Sequence, residues 1–524
     1  MIALLDYGAG NVRSVINALE QLGENVKVIT SPEEITSAER LVFPGVGSFG
    51  AMMNILHDKG YAEPLKKYLA SDRPFFGICL GLHALFETSE EAPGINGLGF
   101  IPGKVVRFTT DLAIPHIGWN GIKTHRPSPI FQDIQGDEKF YFVHSYHVAP
   151  TDDRVILTTT DYGYEFVSAV TCGNVVATQF HPEKSGTIGL KMLGNFLSQY
   201  KETITPTSCA RTTKLAKRII ACLDVRGNDQ GDLVVTKGDQ YDVREEGAVR
   251  NLGKPVQLAR RYYEEGADEI TFLNITGFRD FPLKDMPMLK VLKETSKNVF
   301  VPLTIGGGIR DYVDKDGKRY SALEVASQYF RSGADKISIG SDAVAIVEQV
   351  LATGKSTGLS SIEQISKVYG NQAVVISIDP RRVYVSNPEE VNHQVIKAAT
   401  PGPNGEEFCW YQCTIKGGRE GRDLDAVTLA KVCQELGAGE ILLNCIDKDG
   451  TNSGFDLELI NAVKSAVTIP VIASSGAGSP DHFLEVFQKT SAEAALAAGI
   501  FHRREVGINE VKAYLRDKVE TRSC

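Results

Sequence analysis

Short, nearly continuous apolar runs separated by amphipathic stretches mark both halves of the chain. In the first half the runs are Ile2 to Leu5, Arg40 to Phe43, Pro74 to Ile78 and Val175 to Gln179. Apolar runs without polar alternation predict strands buried on both faces, and their alternation with helical patterns predicts an open α/β sheet over residues 1–200. The pattern stops in SQYKETITPTSCARTTK, Ser198 to Lys214, a polar stretch rich in Thr and Ser whose residues 201–213 read as an interdomain linker. Eight further runs follow in order: RIIACLD, EITFLNIT, FVPLTIGGG, KISIGSD, AVVISID, EILLNCID, IPVIASSGAG and AALAAGIF. Eight buried strands alternating with helices predict a (β/α)8 TIM barrel over residues 214–524. Each run ends in glycine or a small polar or acidic residue, at the end where such a barrel carries its chemistry.

The barrel also repeats itself. RIIACLD resembles VVISID, EITFLNIT resembles EILLNCID, LTIGGG resembles IASSGAG, and YYEEGADEI returns as CQELGAGEI. Strands one to four therefore map onto five to eight. A half-barrel repeat offers the same kind of loop at opposite sides of the mouth, which suits a long substrate with a phosphate at each end.

Composition narrows the classes of function. The chain of 524 residues exceeds what one core fills, in keeping with two domains. A net charge of −9 with scattered basic residues leaves no electrostatic footprint for nucleic acid. Nine cysteines, an odd number at irregular spacings, form neither a disulfide framework nor a zinc ribbon and point to a reducing compartment. No metal or cofactor is expected. The N-terminus lacks a basic leader, and no apolar run is long enough to span a bilayer. The expectation is a soluble, cytoplasmic protein, or a plastid protein whose transit peptide is missing.

The stretch FFGICLGLHALF sets Cys79 between Gly77 and Gly81 at the end of a strand-like run. Such a strand-to-helix turn is expected to expose a nucleophile over a helix N-terminus, where a thiolate is favoured; it also fits a buried core cysteine. Downstream, VATQFHPEKSG places His181 and Glu183 two residues apart on one side of an extended segment, a base with its orienter. FPGVGSFG, Phe43 to Gly50, adds a glycine loop able to turn backbone N–H groups toward an oxyanion. PGVG, GICLG and FHPEKSG resemble the class I glutamine amidotransferases, over almost the whole first domain. The resemblance implies glutamine hydrolysis through a cysteinyl thioester with release of ammonia. Cys79 is then the nucleophile, His181 the base and Glu183 the orienter, with backbone of Gly45, Val46 and Gly47 as oxyanion donors. Where many relatives carry glutamine four residues after the nucleophile, this chain has His83.

In the barrel, Asp224 ends strand one and Asp379 ends strand five, two carboxylates across the mouth that can act as general acid and base. Glycine-rich ends follow strand three (Gly306, Gly307, Gly308) and strand seven (Ser475, Gly476). With Gly340 and Ser341 after strand four and Ala498 and Gly499 after strand eight, they let backbone approach phosphate; glycines needed only for barrel turns give the same pattern. IIACLDV, VVTKGDQYD, TIGGGI, VVISIDPRRV, NCIDKDGTNSG and IASSGAG resemble the cyclase of the imidazole glycerol phosphate synthases. An amidotransferase ahead of that barrel, with DYGAGN, HIGWN and VHSYH, resembles the fused form of the family. The resemblance implies two substrates, glutamine and an open-chain ribulosyl aminoimidazole carboxamide nucleotide bearing two phosphates. The products are imidazole glycerol phosphate and aminoimidazole carboxamide ribotide. Asp224 and Asp379 become the acid and base, Lys237 a residue of a lid, and Asp449, Gly450 and Thr451 of NCIDKDGTNSG substrate contacts. Ser475 stands where many relatives have glycine.

At the opposite strand ends stand Arg218, Glu269, Lys336 and Glu440, two of each sign and one on every other strand. They are expected to close into a ring of salt bridges, which the family uses as the gate of an ammonia channel; charges at that end also serve stability. Lys184 is expected to pair with Asp335 between the domains. Fusion of both partners suggests a monomer. Two rival readings differ in class: a sugar isomerase with the same half-barrel repeat, which needs no ammonia, and a first domain that only docks or binds glutamine, which an intact Cys79, His181 and Glu183 argues against.

Overall fold

Strand alternation decides how the first sheet is buried. Leu41, Phe43 and Phe75 point to one face, where they pack with Leu56 and Leu65; Val42, Phe76 and Ile78 point to the other, among Val15, Leu19, Met192 and Phe196. The first pair of helical residues comes from Phe49–Asp58 and Ala62–Ala70, the second set from Val12–Gln21 and Gly186–Ser198. Helices on both faces are why these runs lack polar alternation. The architecture is that of a computed structural model describing residues 1–8, 10–198, 214–228, 233–236, 244–245, 248–249, 251–275, 283, 286–314 and 316–523. The expected linker 201–213 and Lys237 lie outside the described residues.

The sheet has 11 strands. Strands Val26–Val28, Ile2–Leu4, Leu41–Gly45, Phe75–Cys79 and Val175–Thr178 lie side by side and parallel; Glu165–Cys172 and Tyr146–Pro150 then continue the sheet antiparallel. Only the parallel half was visible as apolar runs, because the antiparallel strands mix Thr, Ser and His with their apolar positions.

Eight parallel strands form the barrel: Arg218–Gly227, Glu269–Asn274, Leu303–Gly306, Lys336–Ile339, Val374–Ile378, Glu440–Asn444, Val471–Ser474 and Ala494–Ala497. It closes by pairing of strand one with strand eight, Arg218 opposite Ala494. Ile220, Cys222, Val375, Leu442, Ile472 and Leu496 fill its interior. Each half-barrel opens with a β excursion after its first strand: Leu233–Thr236 folds back on strand one, and a four-stranded antiparallel sheet spanning residues 380–425 follows strand five.

The first domain covers the N-terminal end of the barrel. Its contacts fall on the turns that lead into barrel strands: Asn17 donates to Ser296, Gly186 N–H to the Phe300 carbonyl, Asn11 to the Gly333 carbonyl, Ser48 N–H to the Val368 carbonyl and Ile114 N–H to the Thr468 carbonyl. None of these contacts falls at the strand ends that carry Asp224 and Asp379.

Candidate active sites

Strand Phe75–Cys79 ends with Cys79 at φ 51, a conformation that costs a non-glycine residue about 1–3 kcal/mol, and turns at once into the short helix Leu80–His83. A β-carbon at Gly81 would lie 2.2 Å from the Phe43 carbonyl oxygen. Glycine is thus required there by close packing against the neighbouring strand. The expected exposure of the thiol is corrected: Cys79 is 7% exposed, enclosed by the sheet on which the turn rests.

Val175–Thr178 pairs in parallel with Phe75–Ile78, which carries residues 179–181 alongside Cys79. His181 Nδ1 lies 2.8 Å from Glu183 Oε1, both side chains buried. The loop holding them is tied down: His181 N–H donates to the Tyr141 carbonyl at 2.9 Å, and Ser185 Oγ donates to the His181 carbonyl at 2.6 Å. Burial disfavours the imidazolium, but Glu183 and then the Cys79 sulfur outweigh it and raise His181 to about 10. The Glu183 carboxylate thus holds the His181 imidazole in its cationic form.

The glycine loop departs from expectation in one respect. Val46 N–H, an expected oxyanion donor, donates to the Tyr7 hydroxyl at 3.2 Å, and the same hydroxyl donates to the Val46 carbonyl at 2.5 Å. Gly47 takes φ 127 and passes so close to the barrel that a β-carbon would sit 2.9 Å from the Val368 carbonyl oxygen. Three residues of this site escaped the sequence reading. Tyr7 lay in an unexplained motif. Gln179, just ahead of His181, donates to Cys79 Sγ at 3.5 Å and lies 2.8 Å from His83. Glu91 accepts from Phe49 N–H at 3.1 Å beside the glycine loop, and burial pushes its carboxyl up to about 7.

The barrel mouth holds a cavity of about 380 Å³. Asp224, Asp449, Gly450, Ser475, Gly476, Ala498 and Gly499 line it together with Asn251, Asn452 and Arg503, which the sequence reading missed. Ser475 adopts φ 74, left-handed backbone that favours the glycine of relatives. Asp379 stands across the mouth at the end of strand five. It accepts from Asn444 Nδ2 at 2.8 Å and from Ser377 Oγ at 3.4 Å, yet burial dominates and raises its carboxyl above the ordinary range. Gly306, Gly307, Gly308, Gly340 and Ser341 follow strands three and four and do not line this cavity. Ser341 Oγ accepts from Lys416 N–H at 3.3 Å, and Thr451 hydrogen-bonds its own loop through the Lys448 carbonyl.

At the other end the four charges close into a ring. Arg218 bonds Glu269 at 2.9 Å and also Glu440, while Lys336 bonds Glu269 at 2.7 Å and Glu440 at 2.5 Å, every side chain 0% exposed. Opposed by burial but drawn down by Arg218 and Lys336, Glu440 stays below the ordinary carboxylate range. The buried Tyr141 hydroxyl, without a hydrogen-bond partner among the described residues, lies in the field of Glu269 and Arg218. Tyr141 thus connects the His181 loop to the ring. Lys184 and Asp335 form the expected interdomain ion pair at 2.7 Å, and Asn11 Nδ2 donates to the same carboxylate at 2.7 Å.

A cysteine triad fused to a half-barrel-repeat TIM barrel defines a two-site, two-domain class of enzyme. Residues 218–507 match the family model described as Histidine biosynthesis protein, and residues 3–200 that described as Glutamine amidotransferase class-I. The chain is 60% identical over its whole length to "Imidazole glycerol phosphate synthase hisHF, chloroplastic" of Arabidopsis thaliana, covering 89% of that protein. It is 55% identical to imidazole glycerol phosphate synthase hisHF of Emericella nidulans, over 99% of this chain and 98% of the relative. The figure is 54% for hisHF of Schizosaccharomyces pombe, over 98% of each. The chain belongs to the imidazole glycerol phosphate synthase family, enzymes of histidine biosynthesis that here join a glutamine amidotransferase and a cyclase in one chain.

Proposed function

We propose that the first domain hydrolyses glutamine at Cys79 and delivers the ammonia through the barrel to its mouth. There it joins the bis-phosphorylated ribulosyl aminoimidazole carboxamide nucleotide, giving imidazole glycerol phosphate and aminoimidazole carboxamide ribotide. The observation that carries this reading is the series of contacts from one site toward the other: Lys184, next to Glu183, pairs with Asp335 just ahead of barrel strand four, the charged ring closes the starts of the barrel strands, and the cavity with Asp224 lies at their far ends.

The Cys79 thiolate attacks the amide carbon of glutamine, the carbon–nitrogen bond breaks, and His181 gives its proton to the departing ammonia. Neutral His181 then takes a proton from the water that cleaves the thioester to glutamate, while Glu183 holds the ring's orientation. Backbone N–H groups of Val46 and Gly47, following Gly45, stabilise the oxyanion, which requires Val46 to leave Tyr7. In the mouth Asp379, with its raised carboxyl, is the acid and Asp224 the base. Ser475, Gly476, Ala498, Gly499 and Arg503 hold one phosphate. Gly306, Gly307, Gly308, Gly340 and Ser341 hold the other, with Asp449, Gly450 and Thr451 as further substrate contacts and Lys237, by the family resemblance, a lid residue. Arg218, Glu269, Lys336 and Glu440 gate the ammonia path, so Lys336→Ala keeps glutamine turnover but uncouples it from product. The protein acts as a monomer in the cytoplasm or a plastid; among the described residues no helix is long and apolar enough to cross a membrane.

The test is product formation from the ribulosyl nucleotide with either glutamine or ammonium chloride at alkaline pH. Wild type is expected to use both nitrogen sources and Cys79→Ala only ammonia. No product from either source would remove the cyclase reading and bring the isomerase forward.

A further inference from the structure

His83 closes the one-turn helix Leu80–His83 that begins directly after Cys79. Gln179 reaches this place from the neighbouring strand, where the parallel register that pairs Thr178 with Ile78 brings residue 179 beside residue 79. His83 is 3% and Gln179 0% exposed. His83 Nε2 lies 2.8 Å from Gln179 Oε1, and Gln179 Nε2 donates to Cys79 Sγ at 3.5 Å.

The chemistry of these groups fixes the proton and the amide together. With Gln179 Oε1 turned toward His83, Nε2 carries the imidazole proton, since a carbonyl oxygen only accepts, and Nδ1, which has no hydrogen-bond partner among the described residues, is the unprotonated nitrogen. Burial favours the neutral ring and lowers His83 to about 4, outweighing the bond to Gln179. With Oε1 held by His83, the Gln179 amide can present only its NH2 group to the sulfur.

We infer that His83 is a positioning residue of the glutaminase: it locks the Gln179 amide so that a donor, never a carbonyl, faces the Cys79 sulfur. The inference rests on Cys79 being the nucleophile and deepens that reading. A hydrogen-bond donor at a thiolate favours the ionised form, and the flipped amide would favour the thiol. His181 and the Gln179 amide thus stabilise one thiolate from two elements.

The experiment is the pH profile of Cys79 alkylation by iodoacetamide in the full chain, read by mass on the Cys79 peptide, alongside glutaminase kcat and KM. His83→Leu is expected to move the alkylation midpoint up by about one pH unit and lower kcat about tenfold, with KM changed less than about twofold. His83→Gln should restore both. Gln179→Leu should match His83→Leu, and the double variant should be no worse than Gln179→Leu, since both residues act through one chain of contacts. Near-ultraviolet circular dichroism controls for folding, and His83→Asn, too short to reach Oε1, replaces His83→Leu if that variant does not fold. An unmoved midpoint in folded variants, or additive losses in the double variant, overturns the relay. Glutaminase activity surviving in Cys79→Ala would instead overturn the nucleophile reading beneath it.

Discussion

Cys79, His181 and Glu183 sit in a closed pocket of protein, each buried and each touching or facing the next, whereas Asp224 and Asp379 stand on opposite sides of an open mouth. The difference follows from what each site must activate. Under the proposed chemistry glutamine is small and its amide unreactive, so the protein itself must activate the sulfur, and a neighbouring cationic imidazole, a fixed hydrogen-bond donor and the start of a helix all work in that direction. The proposed nucleotide is long and carries a phosphate at each end, so under that reading it would bridge the barrel and complete the site on arrival. One site is preassembled by neighbours; the other is assembled by what binds it. The charged ring between them resembles the first in burial and the second in being built from separated strands.

The largest break in this contrast should come at the mouth. Asp379→Asn is expected to lower ammonia-fed cyclisation by about 10²–10⁴, the range for loss of a general acid, while glutamine hydrolysis without nucleotide stays at the wild-type rate. Parallel assays of the two half-reactions decide this, and an equal loss in both would erase the distinction. Next in size is the ring. Glu440→Gln leaves Arg218 and Lys336 each short of a buried carboxylate and should cost about 3–5 kcal/mol of barrel stability, measured by urea unfolding; a loss under about 1 kcal/mol would mean that the ring is hydrated.

Acid should separate the halves further. Burial holds His83 near 4 and His116 near 3, and keeps His144 and His147 below the ordinary range; all four lie in the first domain, against His502 near 4 in the barrel. Their folded values lie below the unfolded value of about 6.5, so the unfolded chain takes up protons that the folded one refuses as pH falls. For these four imidazoles stability is present above about pH 6.5 and is lost below it, by up to about 1.4 kcal/mol per pH unit each; Glu91, raised to about 7, takes up its proton in the folded state and offsets one of the four, while His181, raised to about 10, is protonated in both states below about pH 6.5. Thermal unfolding between pH 7.5 and 5.5 should show the first domain melting earlier and moving more; a barrel that moves as much would contradict the assignment. The smallest effect concerns Tyr7. Its hydroxyl occupies Val46 N–H with one neutral hydrogen bond, worth about 0.5–1.5 kcal/mol, so Tyr7→Phe should raise unstimulated glutamine hydrolysis about 2–12-fold. An unchanged basal rate would show that this contact does not limit the oxyanion donor.

Much of both sites was legible because their signals are local. The Gly-Ile-Cys-Leu-Gly turn and the His-Pro-Glu run each place their chemistry within a few residues of one strand end. Asp224 and Asp379 were found because each closes a strand and the two occupy equivalent places in the repeat. What escaped was held by distance in sequence. Arg503 meets the mouth through the strand-eight loop, and its motif, FHRRE, carries no glycine to mark a close backbone approach. Glu91 gains its raised carboxyl only from the enclosure around the Phe49 helix start. The exposure expected of Cys79 failed because glycines around a nucleophile can serve close packing as well as access, and only the position of the Phe43 carbonyl chooses between them.

By itself the sequence determined the two-part organisation, the parallel half of the first sheet, the eight barrel strands and the candidate reactive groups, since periodicity and turn stereochemistry are properties of short segments. Tertiary structure alone decided which groups meet. Closing strand one on strand eight gives Arg218 both of its carboxylates, the register of two parallel strands sets Gln179 between His83 and Cys79, and the fold of the glycine loop gives Val46 to Tyr7. Those pairings bridge residues far apart in the chain, where no local pattern constrains distance, and they exist only once packing and register have fixed every strand in place.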